Sequence, residues 1–385
     1  MEVREVSPDE YIEARKVQSV AFDLGIDFNS YMANENDRNC RAVFEDGKIC
    51  ACLDYLPFCA MLNGRRVGMA GIGGVASLPE GRRKGYVRAL FRNILQEAKE
   101  NGDTLSYLFP FSNVYYRQFG YESCMVKNST TIPLSSFQGM KQGGNMRMYH
   151  PGENSSPIRE AYERFALDKN FMLIRSEEAW QKKLNEDPYK NNRYVYVHYN
   201  AKNQADGYII FASKKPAILV EELIWLNRES LCSILGFLGG FAGRCKIFRY
   251  KAPAFLNFRL LIPEPYDVKS EGVCDGMGRI VDAARALKTL TIPQDTEKTV
   301  IQVKDDFLDW NNDTFCVYPR NGETQVERTA AAPDLVCDVR TLVQLLSGYV
   351  TLEDCLQLGS AETSGKFEML ARIFMKRTVF INDDF

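Results

Sequence analysis

Apolar residues recur at steps of three and four along residues 87–98, with charged and polar residues between them. This spacing predicts a helix with one buried face. The apolar positions are Val87, Leu90, Phe91, Ile94, Leu95 and Ala98. Before this helix, the segment 41–78 reads as consecutive strands, and Asn63-Gly64 within it favours a tight hairpin because both residues accept positive φ angles. Another strand is predicted over 104–109, so the chain begins with an antiparallel meander, a helix and a further strand.

A basic turn containing a glycine joins the last strand of the meander to the helix. It reads Arg82-Arg83-Lys84-Gly85, and Arg88 follows in the first helical turn. The start of a helix carries free backbone N–H groups and partial positive charge, so these added cations predict a pyrophosphate site. Neither GxxxxGK[ST] nor GxGxxG occurs here, which sets the turn apart from the other common phosphate-binding loops.

Three motifs resemble those of one acetyltransferase family. The run Arg82-Arg83-Lys84-Gly85-Tyr86-Val87 resembles the acetyl-CoA signature R/Q-x-x-G-x-G/A of the GNAT acetyltransferases, with Val87 in place of the usual small residue. The run Tyr116-Arg117-Gln118-Phe119-Gly120-Tyr121 resembles the Y-x-x-F-G-Y segment of the Eis-like (enhanced intracellular survival) N-acetyltransferases. The run Met277-Gly278-Arg279-Ile280-Val281-Asp282 is similar to the M-x-R-V-V-D segment that opens the sterol-carrier-like domain of that family.

The order of predicted elements indicates a duplicated scaffold. Residues 135–156 are rich in Gly, Ser, Gln, Asn and Pro, which marks a boundary or connector. The α/β unit that follows repeats the first in outline but lacks a basic glycine turn. The resemblance therefore implies an α/β (α+β) protein with tandem GNAT folds followed by a sterol-carrier-protein-like α+β domain. We expect a catalytic GNAT domain over 1–140, a degenerate GNAT-like domain over 141–272, and a sterol-carrier-like domain over 273–385 that carries the catalytic C-terminus.

Composition excludes several classes of function. The net charge of −2 gives no electrostatic case for binding nucleic acid or an anionic membrane. No apolar run approaches the ~18–20 residues that span a bilayer, and the N-terminus lacks the pattern of a signal peptide, so we expect a cytoplasmic protein. Eleven cysteines without CxxC pairs and only two histidines predict neither a disulfide framework nor a metal site.

The family resemblance implies acetyl-CoA as co-substrate. In GNAT folds the pantetheine arm pairs with the backbone of a splayed strand, so these positions need no particular side chain. The residues expected to contact acetyl-CoA are Val75, Ala76, Ser77, Arg82, Arg83, Lys84, Gly85, Tyr86, Val87, Arg88 and Ser112.

The resemblance also implies two catalytic groups. Tyr116 takes the place of the family's catalytic tyrosine, a general acid that gives its proton to the departing thiolate. The α-carboxylate of the last residue, Phe385, takes the place of the general base. From the residues alone, Tyr116 could instead only pack in the core, Tyr115 is a local competitor, and a terminal segment is ordinarily frayed.

A cationic acceptor follows from the acidic end of the sequence. Asp384, together with Asp383 and the terminal carboxylate, would attract a multi-amine substrate, such as an aminoglycoside, a polyamine or a lysine side chain. Asp23 and Asp27 read as solvated loop acids. Members of the family assemble as hexamers, so we expect a homo-oligomer. The alternative is a binding protein without turnover, either an acetyl-CoA-binding protein or a lipid carrier that uses its third domain.

Overall fold

The computed structural model describes residues 1–30 and 39–385. Two compact units make up this part of the chain. The first combines residues 1–124, 276–379 and 383–385, and the second combines residues 125–275 and 380–382. Each unit therefore contains segments that are distant in the sequence.

The strands are numbered along the chain. They are β1 (Glu2–Glu5), β2 (Cys40–Glu45), β3 (Lys48–Leu62), β4 (Arg65–Ser77), β5 (Asp103–Leu108), β6 (Glu122–Ser123), β7 (Lys127–Pro133), β8 (Asn145–Tyr149), β9 (Lys169–Asn170), β10 (Arg193–Tyr199), β11 (Ala205–Lys214), β12 (Ala217–Trp225), β13 (Ile247–Pro253), β14 (Lys269–Val273), β15 (Met277–Ile280), β16 (Thr299–Lys304), β17 (Asp313–Arg320), β18 (Glu323–Arg328), β19 (Leu335–Asp338), β20 (Ala361–Thr363) and β21 (Thr378–Val379).

The helices are numbered in the same way. They are α1 (Tyr11–Phe22), α2 (Tyr86–Glu100), α3 (Asn113–Arg117), α4 (Ser156–Ala166), α5 (Glu177–Leu184), α6 (Pro188–Asn191), α7 (Arg228–Gly239), α8 (Ala283–Lys288), α9 (Val339–Ser347), α10 (Leu352–Gln357) and α11 (Phe367–Ile373). Within the described residues, no helix is both long and apolar enough to cross a membrane.

The first unit contains a seven-stranded sheet in the order β1-β2-β3-β4-β5-β15-β6. The meander β1 to β4 is antiparallel, whereas β4 and β5 run parallel because α2 connects them. The predicted hairpin is confirmed, since Asn63 and Gly64 have φ angles of 52° and 76°. The predicted helix is also confirmed. Five of its predicted apolar residues are buried against the sheet, while Val87 is only partly buried.

The last part of the first unit forms a second, five-stranded sheet in the order β18-β17-β16-β19-β20. A buried ion pair fixes this part to the strand β15. Arg279 on β15 is 0% exposed, and its Nη2 lies 2.8 Å from Asp305 Oδ2. Asp305 also accepts hydrogen bonds from the backbone N–H groups of Phe307 and Leu308, each at 3.1 Å. The ion pair therefore holds together strand β15 and the loop that follows β16.

The second unit repeats the topology of the first sheet. Its seven strands follow the order β8-β10-β11-β12-β13-β7-β14, again with one parallel pair, β12 and β13, after a run of antiparallel strands. Where the first unit has a basic turn, the second has Asn227, whose side chain caps α7 by accepting from Ser230 N at 2.8 Å. The predicted α+β duplication without a second basic turn agrees with this architecture.

We expect Asp305→Ala to lower the free energy of unfolding by about 3–5 kcal/mol, because it leaves the guanidinium of Arg279 buried without its countercharge. Thermal and urea unfolding of the purified variant measure this. The control is Asp295→Ala, which removes an ion pair between Asp295 and Arg372, whose side chains are 69% and 53% exposed. Solvent screens this pair, so its loss is expected to change the free energy of unfolding much less. Equal losses in the two variants would contradict the importance of the buried pair.

Candidate active site

The parallel strands β4 and β5 part before β4 ends. They pair from Gly68 with Asp103 to Ile72 with Leu108. Beyond Ile72, β4 continues to Ser77 while pairing only with β3 in the described part of the chain. One backbone edge of the segment 73–77 therefore faces an opening in the sheet. The predicted residues Val75, Ala76 and Ser77 lie on this edge.

A bulge lies beside the opening. The register of β3 and β4 shifts between Cys52 and Asp54, opposite residues 73–76. The buried side chain of Gln18, on α1, donates from Nε2 to Asp54 Oδ2 and to the carbonyl of Gly74, both at 3.1 Å. A bulge increases the local bend and twist of a strand, which suits the point where β4 leaves β5. Sequence pattern does not predict this cluster, and its one signal is an aspartate, Asp54, inside an apolar strand.

The basic turn lies at the far end of β4, immediately before α2. Arg82, Arg83, Lys84 and Gly85 are all exposed, as is Arg88 on the first turn of α2. Arg83 and Gly85 take positive φ angles of 65° and 84°, which reverse the chain tightly before the helix begins. The first N–H groups of α2 and the surrounding cations thus form a positively charged turn open to solvent.

Two of the predicted contact residues direct their side chains into the protein. Tyr86 is 4% exposed, and its hydroxyl donates to a carboxylate oxygen of Glu45. Val87 is partly buried against the core of the first sheet. Any contact that these two residues make with a bound phosphate would therefore come from their backbone N–H groups.

Tyr116 lies on the short helix α3, just after β5. Ser112 begins this helix, and its hydroxyl accepts from Tyr115 N at 3.3 Å. The Tyr116 side chain is buried, with its ring centroid 5.4 Å from that of Phe111 and 6.0 Å from that of Phe91. Its hydroxyl has no hydrogen-bond partner among the described residues. Burial, together with the neighbouring tyrosines, raises the pKa of Tyr116 well above its usual value, so the phenol keeps its proton at neutral pH.

Tyr115 adjoins Tyr116, with ring centroids 5.3 Å apart. It is less buried than Tyr116 and also packs against Phe111 and Phe119. Burial raises the pKa of Tyr115 as well. Both phenols are therefore protonated at neutral pH, and variants of each are needed to assign their roles.

Phe385 is packed on the first sheet. Its ring centroid lies 4.6 Å from that of Phe58 and 5.2 Å from that of Phe109. A Cβ atom on Gly71 would lie 2.8 Å from the Phe385 ring and 2.5 Å from the Phe58 ring, so a glycine at this position leaves room for the terminal aromatic. Asp384 is exposed and Asp383 partly buried. The end of the chain thus has a defined place in this unit.

Tyr116 and Phe385 lie on opposite faces of the first sheet. The Phe385 ring also contacts Tyr107, with centroids 6.3 Å apart. Tyr116 belongs to the other face, in the same buried cluster as Tyr121. The hydroxyl groups of Tyr121 and Ser106 are hydrogen-bonded at 2.6 Å. Adjacent strand residues such as Ser106 and Tyr107 point to opposite faces. The opening that begins after Ile72 and Leu108 is a place where groups on the two faces could meet.

Family profiles match three consecutive parts of the chain. Two profiles described as acetyltransferase (GNAT) domains match residues 2–124 and 172–280. A profile described as a sterol carrier protein domain matches residues 283–382. This order is the one that the sequence motifs predicted.

One relative and two solved structures align with nearly the whole of this chain. An uncharacterized N-acetyltransferase of Streptomyces griseus is 22% identical over 399 residues, covering 94% of both chains. A GCN5-related N-acetyltransferase structure from Anabaena variabilis aligns with a TM-score of 0.89 at 23% identity over all of both chains. The structure of Eis1 from Mycobacterium abscessus aligns with a TM-score of 0.82 at 19% identity, also over all of both chains.

The chain is a GNAT-type N-acetyltransferase with two GNAT domains and a sterol carrier protein domain. The GNAT fold implies that this acetyltransferase uses acetyl-CoA, and the first unit has the features to hold it. The free edge of β4 can pair with the amide groups of an extended pantetheine arm. The basic turn at the start of α2 suits a pyrophosphate. The second GNAT fold lacks such a turn, so the first unit is the candidate active site.

We expect Arg82→Ala/Arg83→Ala to weaken acetyl-CoA binding by about 10- to 100-fold, because each lost cation removes a charge-assisted contact to phosphate. Isothermal titration calorimetry at several salt concentrations measures the affinity, which should depend less on salt in the variant. The control is Arg65→Ala/Arg66→Ala, an exposed pair at the opposite end of β4. Loss of affinity in the control, or none in the test variant, would exclude the turn as the phosphate site.

Proposed function

We propose that this N-acetyltransferase moves the acetyl group of acetyl-CoA to an amine of a cationic multi-amine acceptor, with Tyr116 as general acid and the Phe385 α-carboxylate as general base. One observation carries the proposal. The terminal residue is packed beside Phe109, which directly follows the last β4–β5 pair, while Tyr116 lies on α3, just after the same strand, and packs in the core on the other face of the sheet. This placement supports an arrangement in which the two groups act on a substrate at the opening from its two sides.

The proposed chemistry assigns one proton transfer to each group. An alkyl amine has a pKa near about 10.4, so it arrives mostly as ammonium and must lose a proton before its nitrogen forms a bond to the acetyl carbon. The Phe385 carboxylate accepts that proton, directly or through a water. As the carbon–sulfur bond breaks, the phenol of Tyr116 gives its proton to the departing sulfur. The nitrogen that has formed the new bond loses its second proton to water, so the products are a neutral amide and a free thiol. Proton exchange with solvent then restores the phenol and the carboxylate.

A general acid must carry its proton when the substrate binds. Burial raises the pKa of Tyr116 above its usual value, so the phenol is protonated at neutral pH. The absence of a competing protein acceptor for its hydroxyl, within the described residues, leaves the proton available to a substrate.

The acceptor follows from charge at the end of the chain. Asp383, Asp384 and the terminal carboxylate place up to three negative charges next to one another, with Asp384 exposed to solvent. Such a cluster favours polyamines, aminoglycoside-like sugars or lysine side chains over neutral or acidic amines. Asp384 is the residue that we propose to contact the acceptor.

The lipid-carrier alternative finds less support. A cleft of about 530 Å³ next to the third domain is lined by six charged side chains. They are Arg117, Glu122, Lys304, Asp338, Arg340 and Glu362. Such a lining suits a polar ligand better than an acyl chain.

We expect Tyr116→Phe to lower kcat by about 10²- to 10⁴-fold while the affinity for acetyl-CoA stays the same, because only the transferable proton is lost. Thiol release with a panel of multi-amine acceptors measures kcat, and calorimetry measures binding. Tyr115→Phe is the matched control and should remain near the activity of the unchanged protein. If Tyr115→Phe loses activity and Tyr116→Phe does not, the general acid is Tyr115.

We expect two alanines added after Phe385 to lower kcat at least about 100-fold, since they move the terminal carboxylate by up to roughly 7 Å. Mass spectrometry confirms that the added residues remain, and thiol release measures the rate. The same two residues inserted after Met1 serve as the control. Full activity in a protein with an intact C-terminal extension would exclude the terminal carboxylate as the base.

A further inference from the structure

The second GNAT fold has an opening like that of the first. Its parallel strands β12 and β13 pair from Ala217 with Ile247 to Val220 with Tyr250. Beyond Val220, β12 continues to Trp225 while pairing with β11. The first unit holds its free β4 edge at the equivalent place. At the start of α7, however, Asn227 replaces the basic glycine turn that forms the candidate phosphate site of the first unit.

The C-terminal segment 380–382 lies at this second opening. Asn382 donates from its side-chain amide to a carboxylate oxygen of Glu222, the second residue of β12 beyond the last parallel pair. The ring of Phe380 lies 6.1 Å from that of Phe255, which follows β13 and itself lies 6.0 Å from Trp225. The segment therefore contacts the continuations of both strands that part here.

Phe380 and Ile381 are as deeply buried as core residues. They are 1% and 0% exposed. The N–H of Phe380 donates to the carbonyl of Asn170 at 2.9 Å, and the N–H of Ile381 lies 3.2 Å from the sulfur of Met125. A segment with this burial and these backbone contacts differs from an ordinary frayed terminus.

Glu222 is a rigid anchor for the segment. It is 0% exposed and is held by the guanidinium of Arg175, by Lys183 Nζ at 3.1 Å and by the hydroxyl of Tyr208. Burial by itself would raise the pKa of Glu222, but the charges of Arg175 and Lys183 outweigh it and hold that pKa well below its usual range. The carboxylate is thus ionised and fixed in orientation, and it accepts the Asn382 amide in a charge-assisted hydrogen bond.

We propose that the opening of the second GNAT fold serves as the seat of the chain's own C-terminal segment, and that Glu222, through Asn382, is a positioning residue for the Phe385 carboxylate. Asn382 precedes Phe385 by three residues, so fixing it confines the terminal carboxylate to within roughly 10 Å of that anchor. The catalytic consequence rests on the proposed function, whereas the seat itself does not.

Two variants of Asn382 test the proposal with two readouts. Asn382→Ala removes the amide, and Asn382→Asp keeps its shape but replaces the donor with an acceptor that faces Glu222. Carboxypeptidase A releases an accessible C-terminal aromatic residue, so the rate at which Phe385 is lost, followed by mass spectrometry, reports how firmly the segment is seated. We expect release to be about tenfold faster in Asn382→Ala and faster still in Asn382→Asp.

Steady-state kinetics provide the second readout. A positioning role predicts that kcat falls about tenfold in Asn382→Ala while the KM for acetyl-CoA is unchanged, because the phosphate and pantetheine contacts remain. The control is Asn185→Ala, an exposed asparagine of the same unit, which should change neither readout. Thermal melting of each variant identifies any that is unfolded.

The outcomes separate the two proposals. Faster release of Phe385 with a lower kcat supports both the seat and its catalytic consequence. Unchanged release in a folded Asn382→Asp protein overturns the seat, and faster release with unchanged kcat overturns the positioning role. If the unaltered protein turns over no acceptor in the panel, the proposed function fails, while the release rates still decide whether the segment is seated.

Discussion

The opening between β4 and β5 is the constraint on which the rest of the first unit depends. Backbone N–H and C=O groups in a sheet need partners, and past Ile72 one edge of β4 has none on another strand in the described part of the chain. Inserting a substrate with its own amide groups satisfies that edge without any specific side chain. The side chains of this part of β4 are consequently free for other roles, such as packing in the core in the case of Ala76.

Local sequence pattern was sufficient for the elements around this opening. The three- and four-residue spacing from Leu90 to Ala98 gave helix α2, and Asn63-Gly64 gave the hairpin, because both signals depend only on neighbouring residues. Local pattern does not predict the place of strand β15 in the sheet. Its four residues are fully buried in the first sheet between β5 and β6, and no local pattern tells with which distant strands they pair.

The residues of the candidate site also fall into two groups, those that a local motif predicts and those that it does not. The basic turn and Tyr116 were found by motif, and their cofactor-binding and catalytic roles remain predictions, as do the domain boundaries at 140 and 272. Sequence pattern does not predict the Gln18–Asp54 contact or the packing of Phe385 against Phe58 and Phe109. Each depends on side chains from separate strands and helices that only the folded sheet brings together, and none of these residue types is diagnostic by itself.

The position of β15 in the sequence has a consequence for biosynthesis. The first sheet needs a strand that the ribosome delivers only after residue 276, when the whole of the second sheet has already been synthesised. Until then the outer edge of β5 lacks its neighbour, and unpaired edges are the places where nascent chains associate wrongly. Fragments of the chain that end before β15 should therefore need chaperones to stay unaggregated. A fragment made to crystallise the first GNAT fold alone would need the β15 sequence added to it.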